Sequence, residues 1–298
     1  MLKPLVSLEE AQSFLDSYHG FAVEGLERLS GGAWSAAFGY RAGRDELVAR
    51  FGRDRGWFET DQRMHALASA DLPVPRVRDV GDAMDGTCFA ISERAFGRFL
   101  EDVEPSESEA LSGVVARMVR ALREVPEEDS AYSWRRWLLS GIDRDGRDAQ
   151  WWARIAANPA VAPIADAATA RVRELIDACP ERRQLVHADL LAKNVLVADD
   201  VSALRAVFSW KCSVRGDALY DIAWLTFWGG WHPGIAAIDP WSLRADDGSS
   251  DAAARHHCYE LHIGATHLCW NTQIGDEAEL ERVTAELAEL LESGPRAA

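Results

Sequence analysis

Along the first part of the chain, short runs alternate apolar and polar residues, the period of a half-buried strand; further on, apolar residues recur every three or four positions, the period of a helix packed on one face. Ser7 to Glu10 has the form of a capping box, and Leu8, Ala11, Phe14 and Leu15 fall at helical spacing after it, which predicts a short N-terminal helix. From Phe21 the alternation predicts strands over Phe21 to Leu29, Ser35 to Arg41 and Leu47 to Phe51, the last two joined by the turn Ala42-Gly43-Arg44-Asp45. A helix follows over Trp57 to Ser69, ended by Leu72-Pro73-Val74-Pro75. Arg76 to Gly81 and Cys88 to Glu93 add two strands across the turn Asp85-Gly86, completing an antiparallel sheet of five.

Beyond Gly97 the pattern turns helical. Leu111, Val115, Met118 and Leu122 form one stripe. Ser133 to Leu139, Trp151 to Ala157 and Ala167 to Ile176 continue it, with Pro159 and Pro163 expected as breaks. Tyr220 to Trp228, a segment marked by Cys258, Leu261, Ala265, Leu268 and Cys269, and one marked by Leu280, Val283, Leu287 and Leu290 predict three more helices. The class is therefore α+β, with a small sheet lobe over residues 1–96 and a larger, mainly helical lobe over 97–298, and without internal repeats.

One stretch carries chemistry. Leu185 to Val197 places His187-Ala188-Asp189 and then Asn194 on a loop between apolar runs. Phosphoryl transfer uses such a pair, an Asp to accept the proton of the attacking hydroxyl and an Asn to hold magnesium against the phosphates. The spacing resembles the protein-kinase catalytic loop. With Leu185-Val186 before it and Gly216-Asp217 and Asp221 after it, the chain resembles the aminoglycoside phosphotransferase family, from about Leu29 to the final helices.

That resemblance implies a bilobal protein-kinase-like fold using ATP (or GTP) and Mg2+, with residues 1–96 as the nucleotide lobe and 97–298 holding the catalytic loop and the acceptor wall. It implies a kinase for a small hydroxylated, cationic acceptor such as an aminoglycoside, in antibiotic resistance or biosynthesis. Asp189 would be the base, His187 a buttress of the loop, Asn194 a metal ligand, and Asp217 and Asp221 structural supports. Arg50, on the third strand, would grip the nucleotide phosphates. Its acidic partner would come from the following helix, Asp61 ahead of Glu59. Gly31 and Gly32 lie in a turn where backbone amides could approach phosphates, although a Gly-Gly turn is by itself only a turn. The segment Ser92 to Gly97 would be the hinge, with the backbone of Ser92 and Ala95 facing the adenine edge.

At one position the chain departs from the family pattern. The strand after the catalytic loop is expected to end in a magnesium-binding Asp before Trp, and here that position is Ser209. A neutral hydroxyl is a poor substitute, because magnesium prefers hard carboxylate oxygens. Two readings stay open: a weakened kinase holding metal through Asn194, water and substrate phosphates, or a degenerate or repurposed kinase-fold protein, either a binding module or a non-kinase enzyme. Lys211 is either a solvent-facing side chain or a cation substituting for one metal charge. Asp217 is read as a helix cap in preference to a replacement metal ligand.

Composition narrows the partners. A formal charge of -16 on 298 residues opposes nucleic acid and anionic membranes and suits a cationic small molecule, although solubility alone accounts for such a balance. The five cysteines are scattered, without a CxxC pair, and the opening residues lack the apolar core of a signal peptide, so a reducing cytoplasm is expected. Oligomeric state is not encoded legibly. Asp239, Glu260, His267 and Asn271 are candidates for the acceptor wall. Trp134, Trp137, Trp151 and Trp152 either line a sugar surface or pack under a loop, the second being expected. The histidines do not form a zinc set, since His256 and His257 are adjacent and face apart on a helix.

Overall fold

The computed structural model describes residues 3–30, 32, 34–84, 86–128, 133–244 and 250–295. In chain order the elements are α1 (Leu8–His19), β1 (Glu24–Leu29), β2 (Ala36–Ala42), β3 (Asp45–Gly52), α2 (Arg55–Met64), β4 (Val77–Asp82), β5 (Cys88–Glu93) and β6 (Arg98–Phe99). There follow α3 (Ser108–Glu124), α4 (Trp134–Gly141), α5 (Ala149–Ala156), α6 (Ala162–Leu175), β7 (Gln184–Val186), β8 (Val195–Val197), β9 (Leu204–Val207) and β10 (Val214–Gly216). The chain closes with α7 (Leu219–Gly229), α8 (Pro233–Ala237), α9 (Ala252–Ile274) and α10 (Glu277–Ser293). Compactness divides it into two discontinuous units, Met1–Ala121 with Asp189–Ser213 and Leu122–Ala188 with Val214–Ala298. This division differs from the single boundary expected at 96/97, because the segment from Asp189 returns to pack with the N-terminal residues.

In the first unit the five expected strands form one antiparallel sheet in the order β1-β2-β3-β5-β4. One set of inward residues, Phe38, Tyr40, Leu47, Ala49, Phe51, Phe89 and Ile91, packs with Ala11 and Leu15 of α1. A second, smaller core joins Phe58 of α2 to Val77, Cys88 and Ala90. Both ends of α1 follow local chemistry: the Ser7 hydroxyl accepts from the Glu10 amide, the Glu10 carboxylate accepts from the Ser7 amide, and Gly20 ends the helix at φ 74°. Helix α2 is shorter than its apolar spacing predicts. It begins after Asp54, whose carboxylate accepts from the Gly56 amide, and beyond Met64 it tightens into a 3-10 turn at His65–Leu67.

A second sheet of this unit runs β6-β8-β9, with Arg98 opposite Val197 and Phe99 opposite Leu196. Gly97 makes that pairing possible. Its φ is 154°, and a Cβ there would lie 2.2 Å from the Val197 carbonyl oxygen, so no other residue fits without displacing β8.

The second unit is built on helices, with α9 buried along most of its length, as expected of a helix packed on several sides. Its one strand pair in the described residues is β7 with β10, Val186 opposite Val214. A Cβ at Gly216 would lie 2.2 Å from the Trp134 ring. Trp134 is buried there, stacked on Trp137 at 4.9 Å, and its indole N–H donates to the Tyr259 hydroxyl at 3.0 Å. This agrees with packing for these two tryptophans. Pro163, expected to break the helices, instead lies in the first turn of α6, where the missing N–H would have had no partner within the helix. No helix among the described residues is long and apolar enough to cross a membrane.

Candidate active site

The loop that starts the candidate site is held at its base within the second unit. β7 runs directly into His187, which is fully buried. Asp221, in the first turn of α7, accepts the amides of His187 and Ala188, each at 2.9 Å. Burial pushes the Asp221 carboxyl up to about 7, and the two amide bonds pull the other way. Asp221 thus fixes the backbone at His187 and Ala188. Asp217 requires a correction. The cap of α7 is Ala218, and Asp217 lies one residue outside it, with Oδ1 accepting weakly from the Leu219 amide at 3.3 Å. Its Oδ2 accepts from the Tyr259 hydroxyl at 2.9 Å and pairs with Arg255 at 3.1 Å, so it ties the start of α7 to α9.

From Asp189 onward the loop belongs to the first unit. The Asn194 side-chain amide donates to the Asp189 carbonyl at 2.7 Å, closing the loop on itself. The Lys193 amide donates to the Glu101 carboxylate, which burial raises above the usual carboxylate range. Ala188, Ala192, Lys193 and Ser209 all have left-handed backbones, at φ 58°, 61°, 66° and 69°. Each such residue costs on the order of 1 kcal/mol or more, a strain typical of functional loops.

Asp189 does not face open solvent. Lys211 Nζ lies 3.6 Å from its Oδ2, with 9% of the lysine side chain and 16% of the aspartate side chain exposed. The same ammonium stands 4.7 Å from the centre of the Trp34 ring and 3.4 Å from the Cys212 sulfur. The expectation of a solvent-facing Lys211 is therefore corrected. Burial raises the Asp189 carboxyl to about 6, with the Lys211 charge and hydrogen bonds from Asn194 and Lys211 pulling it down. Burial also pushes the Cys212 thiol up, so this cysteine is not an activated nucleophile.

On the other side of the same turn, Arg50 Nη1 and Asp61 Oδ2 are 2.6 Å apart, with side chains 16% and 6% exposed. The second Asp61 oxygen accepts the Trp210 amide at 2.7 Å, so one carboxylate joins β3, α2 and the turn after Ser209. Glu59, the other candidate, is partnered by Arg55 at the surface. Ser92 sits within β5, buried and registered against Val48 and Val77, and Ala95 is half-buried beyond the strand end. Gly32 is exposed, and its carbonyl accepts from Lys3 at 3.3 Å. Gly31 lies outside the described residues.

The residues that the resemblance assigns to the metal do not fit it. Asn194 and Ser209 offer a neutral amide and a neutral hydroxyl, and the Asp189 carboxylate of the same loop as Asn194 already faces an ammonium. Magnesium is held in such sites by carboxylate charge together with phosphate oxygens. Among the described residues no group of three His, Cys, Asp or Glu side chains could hold a metal ion.

The profile of the phosphotransferase enzyme family, APH, matches residues 25–252. The chain belongs to that family. Its sequence is 29% identical over 245 residues to hygromycin-B 4-O-kinase from Escherichia coli, a match spanning 78% of this chain and 70% of that protein. It is similar to the crystal structure of a thermostable mutant of aminoglycoside phosphotransferase APH(4)-Ia in ternary complex with AMP-PNP and hygromycin B. That similarity has a TM-score of 0.84 at 26% identity and covers 96% of this chain and 99% of the other. A second thermostable mutant, with ADP and hygromycin B, aligns at 25% identity with a TM-score of 0.85, covering 97% and 100% of the two chains.

In this APH chain the acceptor candidates have separate surroundings. Glu260 is buried and pairs with His256 at 3.1 Å, one turn away on α9. Asn271 is buried near the end of α9, its carbonyl accepting from Gly275 and Asp276. Both are enclosed in the helix packing. The His267 ring lies 4.8 Å from Trp228 and 5.2 Å from Trp224, and burial lowers its basicity to about 4. Asp239 is exposed, with a left-handed backbone at φ 42°. Trp34, Glu101 and Trp210 were not singled out from the sequence. The first and third flank its motifs, and nothing around Glu101 marks it beforehand.

Proposed function

We propose that this chain is an ATP-dependent O-phosphotransferase acting on a small hydroxylated, cationic acceptor of the aminoglycoside kind. The observation that carries this reading is the Asp189–Asn194 loop, closed by the 2.7 Å bond between its two members, in a chain of the APH family. The relatives crystallised with AMP-PNP or ADP and hygromycin B support the nucleotide and the acceptor class. The net charge of -16 suits a polycationic acceptor. On this reading Asp189 accepts the proton of the acceptor hydroxyl as its oxygen attacks the γ-phosphorus and ADP departs. Arg50, oriented by Asp61, holds nucleotide phosphates. Positioning and charge neutralisation supply the rate, with no covalent enzyme intermediate.

One observation favours a second reading, a kinase-fold protein that binds nucleotide or another anion without transferring phosphate: Lys211 lies against the proposed base. The two are separated by incubating the full chain with ATP and hygromycin B and measuring product mass, beside Asp189→Asn. A phosphorylated acceptor formed by the wild type and lost in the variant supports the transferase; nucleotide binding without product across a panel of aminoglycosides supports the binding module.

A further inference from the structure

Two positions after Ser209 the chain presents a charge, Lys211. The chain uses lysine sparingly, at Lys3, Lys193 and Lys211 only, and one of the three stands here. Its ammonium is contacted on two sides, by the Asp189 carboxylate at 3.6 Å and by the face of Trp34 at 4.7 Å. Trp34 belongs to the segment between β1 and β2, which also carries Gly32. The backbone beside Lys211 is fixed, since the Trp210 amide is bound by Asp61 and Asp61 by Arg50. Thus Arg50 and Lys211 are two cations connected to one frame, and the second stands two residues along the chain from Ser209, the residue that lacks a carboxylate.

We propose that Lys211 is a built-in cation of the nucleotide site, an ammonium that takes over phosphate-neutralising charge from the divalent ion for which Ser209 offers no carboxylate. The inference rests on the nucleotide-binding part of the function proposed above. An ammonium supplies a single positive charge and three N–H donors, enough to hold one phosphate oxygen pair while remaining shared with Asp189. Because that charge is part of the chain, nucleotide affinity becomes largely independent of free divalent metal. The same substitution explains why Ser209 and Lys211 occur together: a lysine beside an intact metal site would repel the ion, and a serine without the lysine would leave the phosphates unneutralised.

Calorimetric titration of AMP-PNP into the full chain tests this, run in excess Mg2+ and again in EDTA, with thermal unfolding confirming that each variant is folded. Wild-type Kd is expected to change by less than about threefold on metal removal; Lys211→Met weakens binding in EDTA by about tenfold or more, and Lys211→Arg keeps most of it. The double variant Ser209→Asp/Lys211→Ser gains a metal dependence of at least about tenfold. Wild-type binding that falls tenfold in EDTA, or a Lys211→Met variant that binds as well as wild type without metal, overturns the inference and leaves the phosphotransferase reading standing. Absence of AMP-PNP binding in both buffers overturns both.

Discussion

Among the carboxylate–cation pairs of the first unit, the two that involve candidate site residues are built differently. Asp61 and Arg50 meet at 2.6 Å, and the second Asp61 oxygen is taken by the Trp210 amide. Asp189 and Lys211 stand at 3.6 Å, and the ammonium divides itself among a carboxylate, an indole face and a sulfur. The first pair satisfies its carboxylate and joins three segments, as a structural strut does. The second is loose and shared, so a ligand that brings its own anion can enter it at small cost. A buried ion pair is therefore informative about function mainly through what its members still lack.

The comparison can be attacked where the effects are largest. Asp189→Asn should lower acceptor-dependent ATP turnover by roughly 10²- to 10⁴-fold, with AMP-PNP affinity unchanged or improved, since Lys211 loses its competing anion; steady-state kinetics beside calorimetry read both. Equal activity in the variant would remove Asp189 from the mechanism. Asp61→Ala leaves Arg50 and the Trp210 amide without their acceptor and should cost about 3–5 kcal/mol in denaturant unfolding. Lys211→Met, by contrast, should cost less, about 1–2 kcal/mol, because Asp189, whose carboxyl burial already raises to about 6, can take up a proton once its ammonium is gone. Comparable losses in the two variants would erase the distinction between strut and loose pair.

Titration elsewhere has to be separated from these pairs when pH is varied. Burial lowers His262 to about 3 and His267 to about 4. In the unfolded chain both take up protons near the ordinary histidine value of about 6.5, before the folded chain does. Their contribution to stability is therefore complete above about pH 6.5 and is lost as pH falls toward 4, at up to about 1.4 kcal/mol per pH unit for each histidine. Replacing His267 with Gln should flatten the dependence of unfolding free energy on pH between about 6.5 and 4, leaving it unaltered above. The smallest effect is at Ser209. Its left-handed backbone favours glycine, and Ser209→Gly should stabilise the fold by up to about 1 kcal/mol in thermal unfolding. A destabilised variant would mean that the hydroxyl makes a contact outweighing the strain.

The sheet was legible because alternation, turns and a two-sided core all specify one register, so Phe38, Tyr40, Leu47, Ala49 and Phe51 fall inward without ambiguity. Asp61 was legible since a helix after the third strand offers few acids near Arg50. Helix ends were less so: the apolar spacing of Leu67 continues past Met64 through a tighter turn, and Pro163 marks a beginning where a break was expected. Lys211 was hardest, as its surroundings come from Trp34 and Asp189, remote from it in sequence. Glu101 shares that difficulty, its partner being the amide of Lys193.

The order in which the chain leaves the ribosome gives the segment from Asp189 to Ser213 a further meaning. The first unit is not finished when its N-terminal stretch ends at Ala121; Leu122 to Ala188 must be made before β8 and β9 arrive. Until then β6 has no β8 beside it and Asp61 has no Trp210 amide to receive. A nascent or truncated chain lacking this segment would expose a sheet edge and an incompletely paired acid, the features by which partly made domains aggregate or engage chaperones. Lys211, proposed to handle phosphate, thus lies in the segment that completes the unit holding it, whereas Arg50 is made early, so full competence to bind nucleotide would report that the unit has closed.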